Sequence, residues 1–272
     1  MFTYIDPTVR ERLVSAGQLK RIDSRGVLLD TASTPGDGSI AINVMGPIPL
    51  PVVVGDERVM FDWYAAVRHT ELRRVESLAD ELTEQGAPRL FATLTTSMAV
   101  NSVLVSRDPA PGDHCLVRVH SSCLTGDVFG SARCECGPQL DAALAKIHAA
   151  AAGGVLVYMA GHEGRGIGLW AKAATYLLQD AGENTYEANE SLGLPVDSRD
   201  YTDAAALLAY LIGHRPFHLM TNNPKKIDDL GRAGLGPVTP IPHVVGIGAD
   251  NRRYVAAKRE RGHRIDSDDL EL

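Results

Sequence analysis

The sequence predicts an α/β protein: a mixed, α+β-like sheet core with flanking helices, carrying a smaller strand-rich extension on its N-terminal side. Three observations lead there. Helical and strand-like segments alternate from residue 139 onward, while the first 85 residues are richer in strand and turn signals than in helical periods. The composition, 44% hydrophobic and 22% charged over 272 residues, is that of an ordinary globular chain. The expected division is an extension over 1–85, whose role the sequence does not state, and a main unit over 86–272.

Taken in order, a short helical stretch precedes the turn-rich TASTPGDGS, followed by IAINVMGPIPLPVVV and a hairpin turn at Val54-Gly55-Asp56. TELRRVESLADELTEQG, residues 70–86, places Leu72, Val75, Leu78, Ala79 and Leu82 at helical spacing and closes on Gly86. Two strand-like runs follow, RLFATLTT and SVLVSR, then the turn PAPGD and the alternating strand HCLVRVHSS. Next come a helix over 139–152, the strand GVLVYM, helices over 170–180 and 203–212, the strand FHLMT, and a helix from Pro224 to Ala233. The tail NRRYVAAKRERGHRI reads as a basic helix before a frayed acidic end.

No apolar run approaches the roughly 18 residues of a membrane span, and the first residues lack the pattern of a secretory signal, so a cytoplasmic location without a membrane partner is expected. A net charge of −7 opposes nonspecific attachment to nucleic acid, and a polyanionic ligand would need a locally basic pocket.

The four cysteines fall within 22 positions, which suits metal or redox chemistry better than a disulfide framework. Cys123, Cys134 and Cys136 are separated by ten and then one residue, so the intervening loop can fold back and gather three thiolates around zinc. Three protein ligands leave a position for water that the metal acidifies, which is a catalytic pattern. The same spacing also fits three ordinary buried cysteines, or a closed structural site completed by His120. Cys115 shares a strand face with Val117 and Val119 and reads as a core residue.

The run RVHSSCLTGDVFGSARCECGPQL, residues 118–140, resembles the zinc motif of the GTP cyclohydrolase II family. EGRGIGL (163–169), LQDAGENTYEAN (178–189), LGLPVDSRDY (192–201) and TNNPKK (221–226) follow in the family's order, so the resemblance covers about residues 90–265. It implies the fold of that family and a zinc ion held by Cys123, Cys134 and Cys136. The implied reaction is hydrolytic opening of the base ring of GTP, with loss of formate and pyrophosphate, in riboflavin biosynthesis. It further implies Asp197 as proton acceptor, Arg199 as nucleophile on the α-phosphorus and Tyr176 near the attacked carbon. Contacts to the nucleotide would come from Arg118, His120, Ser121, Gln139, Glu163, Gly164, Arg165, Thr185, Thr221 and Lys226. Magnesium with the triphosphate and a homodimer are likewise implied.

The residue types fit these roles. Arg118, Arg133, Arg165, Arg199, Lys225 and Lys226 concentrate positive charge in an acidic chain. A carboxylate such as Glu163 can accept hydrogen bonds from a base edge. Tyr176 stands seven residues after Leu169, on the same side of a helix, and Asp197 and Arg199 share a side of an extended segment. Pro224 opens a helix whose N-terminus favours an anion beside Thr221 and Lys226.

Two positions depart from the family pattern: Ser122 stands where glutamate is usual, and His162 where glutamine is usual before EGRG. Substitutions of this kind can switch substrate, which leaves ring opening of another nucleotide, such as the pyrimidine UMP, as a second reading. A catalytically silent nucleotide-binding or nucleic-acid-binding zinc protein is a third. The base deaminases are set aside, because the cysteines read C-x-C rather than P-C-x-x-C.

Overall fold

A computed structural model describes residues 5–33, 35–36, 38–84, 98–106 and 115–270. The expected strand RLFATLTT and the turn PAPGD lie outside the described residues. α1 (Pro7–Ser15) leads into β1 (Leu19–Asp23), β2 (Leu28–Leu29), the long strands β3 (Ala41–Val54) and β4 (Glu57–Arg68), and then α2 (His69–Glu84). β5 (Asn101–Val105), β6 (Cys115–Ser121), α3 (Cys136–Ala149), β7 (Gly154–Met159), α4 (Gly168–Asp180) and α5 (Glu187–Ser191) follow. The described chain closes with α6 (Thr202–Ile212), β8 (Phe217–Met220), α7 (Pro224–Arg232), β9 (Val238–Ile241) and α8 (Arg252–Glu260).

The strands form one mixed sheet of nine, in the order β2-β1-β3-β4-β5-β7-β6-β8-β9. Pairing is antiparallel from β2 as far as β7 and parallel from β7 to β9. β7 is therefore the seam between two halves, and the N-terminal strands extend the same sheet that carries the downstream strands. The β3–β4 hairpin turns on Gly55-Asp56, with Val54 opposite Glu57, because a two-residue loop with glycine matches the twist of paired strands.

Alternation along the strands divides the core. Val117, Val119, Val155 and Val157 face one side, where α6 supplies Ala204, Leu207 and Leu208. Leu156 faces the other, with Ala143 and Ile147 of α3 and Phe61 of β4. Cys115 belongs to the first cluster and is buried there. The β1–β2 turn closes onto α6 at Gly26, where a Cβ would lie 2.5 Å from Tyr210 N and 2.8 Å from Ala206 O, so no larger residue fits without displacing the helix.

The helices lie close to their expected places, with one informative shift. α3 begins at Cys136 rather than near 139, since Gly137 and Pro138 belong to its first turn, where a missing N–H costs nothing. A π-helical turn over Leu124–Val128, the short helix α5 and the strand β9 carry no expectation from periodicity; β9 holds Pro240, which suits its place at the sheet edge.

Leu207 is fully buried between α6 and the sheet. Leu207→Ala is expected to lower stability by about 2–5 kcal/mol, read as a lower urea midpoint at unchanged slope.

Candidate active site

The parallel strands β6, β7 and β8 run side by side, and Ser121 at the end of β6 lies opposite Met159 at the end of β7. The segments that leave these three ends therefore open on one edge of the sheet, the edge at which open α/β sheets bind ligands. They carry the cysteines, the 160–166 segment and the TNNPKK segment.

Cys123 follows β6 by two residues, the π-helical turn reverses the chain, and Cys134 and Cys136 arrive at the start of α3. The three sulfurs lie within 4.8 Å of one another, and Cys123 Sγ is 3.6 Å from Cys134 Sγ. Gly126 leaves room for them: a Cβ there would be 3.0 Å from Cys134 Sγ and 3.2 Å from Cys123 Sγ. Hydrogen bonds from the other two thiols and the nearby Lys172 ammonium hold the Cys123 thiol far below its usual range. The same mutual bonding pushes Cys134 up to about 11 and Cys136 well above its ordinary value. A divalent ion that displaces the thiol protons is the natural occupant of such a cluster. Three cysteine sulfurs gathered this closely are a donor set suited to zinc. His120 is not in that cluster; its Nε2 bonds the Asp127 carboxylate at 3.1 Å.

Lys172 of α4 faces the cluster. Its ammonium donates to Cys123 Sγ at 3.2 Å, Thr125 Oγ1 at 3.0 Å and Glu163 Oε1 at 2.6 Å. Burial opposes that charge, but the Glu163 hydrogen bond and the Cys123 charge outweigh it and raise its pKa. The other Glu163 oxygen accepts from Leu124 N at 2.7 Å. Tyr176, one turn beyond Lys172, places its hydroxyl 2.9 Å from Thr125 Oγ1.

A cavity adjoins the sulfurs, and every catalytic, nucleotide-binding and metal residue that the family resemblance implies lines it except Asp197; Lys225 of the basic set also lies outside its lining. Asp197 lies behind Arg199 and accepts from its Nε at 2.9 Å and NH2 at 2.6 Å. Burial works against the Arg199 charge, yet this pairing raises its pKa. Arg118 donates to Met220 O and Gln139 Oε1, and burial lowers its pKa to about 10. Lys226 donates to Val119 O at 2.7 Å, and burial among other cations holds it well below its ordinary value. Arg165 takes a left-handed φ of 62° with its guanidinium 3.8 Å over the Tyr186 ring, and both terminal nitrogens are buried without a partner. Seven cations line the cavity, Arg118, Arg133, Arg165, Lys172, Arg199, Lys226 and Lys258, against two carboxylates, Glu135 and Glu163. A buried excess of this sign calls for an anionic ligand.

Sequence comparison is decisive: residues 79–242 match the GTP cyclohydrolase II family. The chain belongs to that family. Membership places it in the cyclohydrolase class of hydrolases and accounts for the mixed sheet with flanking helices. It is similar to proteins named riboflavin biosynthesis protein RibBA. One from Mycobacterium bovis is 56% identical over 157 residues, which is 57% of this chain and 36% of the relative. One from Mycobacterium marinum is 55% identical over 155 residues with the same coverage. The chain therefore spans about a third of the length of these relatives.

The two departures from the GTP cyclohydrolase II pattern have defined surroundings. Ser122 Oγ donates to Ala160 O at 2.9 Å, joining the metal loop to the 160–166 segment. His162 Nε2 donates to Asp200 O at 2.9 Å, which leaves Nδ1 to accept from Ser121 Oγ at 3.2 Å. Both ring nitrogens are thus taken by the protein, and burial lowers the imidazole pKa to about 4.

Several groups at this candidate site carry little signal in the sequence. Asp127 binds His120, Cys123 N and the Tyr158 hydroxyl, and its only signal was its place in TGD. Lys172 could have been found from its i, i+4 relation to Tyr176. Tyr254, Lys258 and His263, beyond the family-matched residues, also line the cavity; Lys258 pairs with the buried Glu135 between two of the clustered cysteines, and the Arg165 guanidinium lies 5.8 Å from the Tyr254 ring centre.

Gly126→Ala is expected to splay the sulfurs and lower zinc per chain, read by chelator competition, while the fold persists by circular dichroism. The neutral His162 gives a pH prediction. Its folded pKa, about 4, lies below the unfolded value of about 6.5, so the unfolded chain binds the extra proton and stability falls as pH drops from 6.5 toward 4. His162→Gln is expected to flatten that part of the stability profile relative to the parent protein, both measured by urea melts.

Proposed function

We propose that this protein opens the base ring of GTP hydrolytically, using zinc bound by Cys123, Cys134 and Cys136. The products would be formate, pyrophosphate and a 2,5-diamino-6-ribosylamino-pyrimidinone phosphate on the route to riboflavin. The observation that carries this reading is the coincidence of a three-thiol cluster and an excess of buried cations in a single cavity. Family membership and the naming of the relatives agree with it.

Bound zinc would supply the Lewis acidity that hydrolysis of a ring amidine needs at neutral pH. The chain's own groups do the rest. Arg165, whose terminal nitrogens lack partners, together with Arg118 and Lys226, receives the phosphates; magnesium accompanies the triphosphate. Glu163 and Gln139 face the base edge through lone pairs not used by Lys172, Leu124 N and Arg118. His120, Ser121, Gly164, Thr185 and Thr221 border the same space. Tyr176 stands over the sulfurs through Thr125, where it can direct a proton at the attacked carbon. Asp197 is the acceptor for a proton from Arg199. Because their ion pair stabilises the charged guanidinium, attack by Arg199 on the α-phosphorus requires that transfer first.

We take the active form to be a cytoplasmic homodimer. Trp170 is 91% exposed and Leu177 is 72% exposed, seven residues apart on one face of α4, an apolar surface suited to a second copy. No helix among the described residues is long and apolar enough to cross a membrane. A second substrate, a pyrimidine nucleotide such as UMP, is kept because Ser122 and His162 alter the surroundings of Ser121 and Ala160.

Zinc-loaded protein incubated separately with GTP, GMP, UTP and UMP is expected to turn over GTP, with formate and pyrophosphate identified by mass and coupled assays; turnover of UMP alone would reverse the substrate assignment. Cys134→Ser is expected to abolish zinc binding and ring opening together. Arg199→Ala is expected to retain nucleotide binding by calorimetry while losing turnover.

A further inference from the structure

The segment that carries Asp197 and Arg199 has no regular secondary structure from 197 to 200, so other parts of the chain must fix it. Four of the contacts that do so are of particular interest. Ser198 N donates to Arg165 O at 3.1 Å, Lys225 Nζ donates to Arg199 O at 3.0 Å, and His162 Nε2 donates to Asp200 O at 2.9 Å. The fourth comes from Arg68, the last residue of β4 and eleven positions before the family-matched region begins at 79. Its NH2 donates to Asp200 Oδ2 at 2.9 Å, and its Nε reaches both oxygens of Asp203, at 2.9 and 3.1 Å.

This fork is itself anchored. Ile42 and Arg68 are opposed across the β3–β4 ladder, and Ala66 is opposed to Asn101 across β4–β5. Asn101 Nδ2 donates to Asp203 Oδ2 at 3.3 Å, while its Oδ1 accepts from Ala160 N at 3.1 Å. The other Asp200 oxygen is held by Thr202 N and Oγ1, at 2.9 and 2.6 Å. One guanidinium thus ties the sheet to the last residue of the irregular segment and the first turn of α6, with Arg199 next in sequence. A planar, bidentate donor is suited to fix direction as well as distance, which a flexible ammonium does less well.

We infer that Arg68 is a positioning residue for the ring-opening reaction, and that through it the N-terminal segment sets the place of the Asp197–Arg199 pair. The inference rests on the assignment of that pair to the reaction.

The test uses the full chain, loaded with zinc, as Arg68→Met and Arg68→Lys. Arg68→Met is expected to lower kcat for GTP roughly 10- to 100-fold, with KM within about twofold and zinc content unchanged. Arg68→Lys, which keeps one donor, is expected to recover part of the loss. Hydrogen exchange followed by mass spectrometry is expected to show faster deuterium uptake over 197–203 in Arg68→Met, with uptake over 123–136 unchanged. Parent-like kcat and uptake in Arg68→Met would overturn the inference, as would joint loss of zinc, KM and kcat that Lys does not relieve. Failure of the parent protein to open GTP would sink the proposed reaction instead, and the exchange comparison would still decide whether Arg68 fixes the segment.

Discussion

The strand β6 lies between two parallel partners, β7 and β8, and the site depends on that arrangement. Parallel neighbours end at the same edge, so the chain leaves β6, β7 and β8 toward one region of space. The cysteine loop, the left-handed Gly164–Gly166 segment and the TNNPKK turn then meet without any of them being long. The antiparallel half of the sheet could not do this by itself, because its neighbouring strands end at opposite edges. Its contribution is lateral: it widens the sheet and supplies groups such as Asn101 that reach the site from the side.

Charge is the second constraint. The site holds three clustered cysteine sulfurs, basic side chains in excess and few carboxylates, within a chain of net charge −7. Each carboxylate near the metal loop has a dedicated partner: Glu163 with Lys172, Glu135 with Lys258, and Asp127 with His120. What remains unbalanced is positive and centres on Arg165, whose aromatic supports hold the guanidinium in place without satisfying its N–H groups. A free cleft of this kind costs stability that a bound anion returns, so binding energy and folding energy are linked at the same side chains.

Local chemistry made much of this legible. Cysteine spacing, the alternation of elements and the order of short motifs survive in one dimension because each depends on neighbours in sequence. Lys172 did not stand out, because a lysine on an amphipathic helix ordinarily faces water, and only the folded-back loop brings Cys123 to it. Arg68 and Asp203 are separated by 135 residues, and no local pattern announces an ion pair of that span. His162 was visible as an oddity, but its partner is a backbone carbonyl at residue 200, which has no residue type to recognise. The strand β9 is hidden by its short length and by Pro240 within it.

The docking of α8 also has a consequence for biosynthesis. Residues 254–265 are the last of those that line the cavity to be made. Arg264 N bonds Asn222 O at 2.8 Å, and Lys258 neutralises Glu135, so this late stretch closes over loops that are already in place. Until that stretch docks, Glu135, between Cys134 and Cys136, stands without its lysine partner.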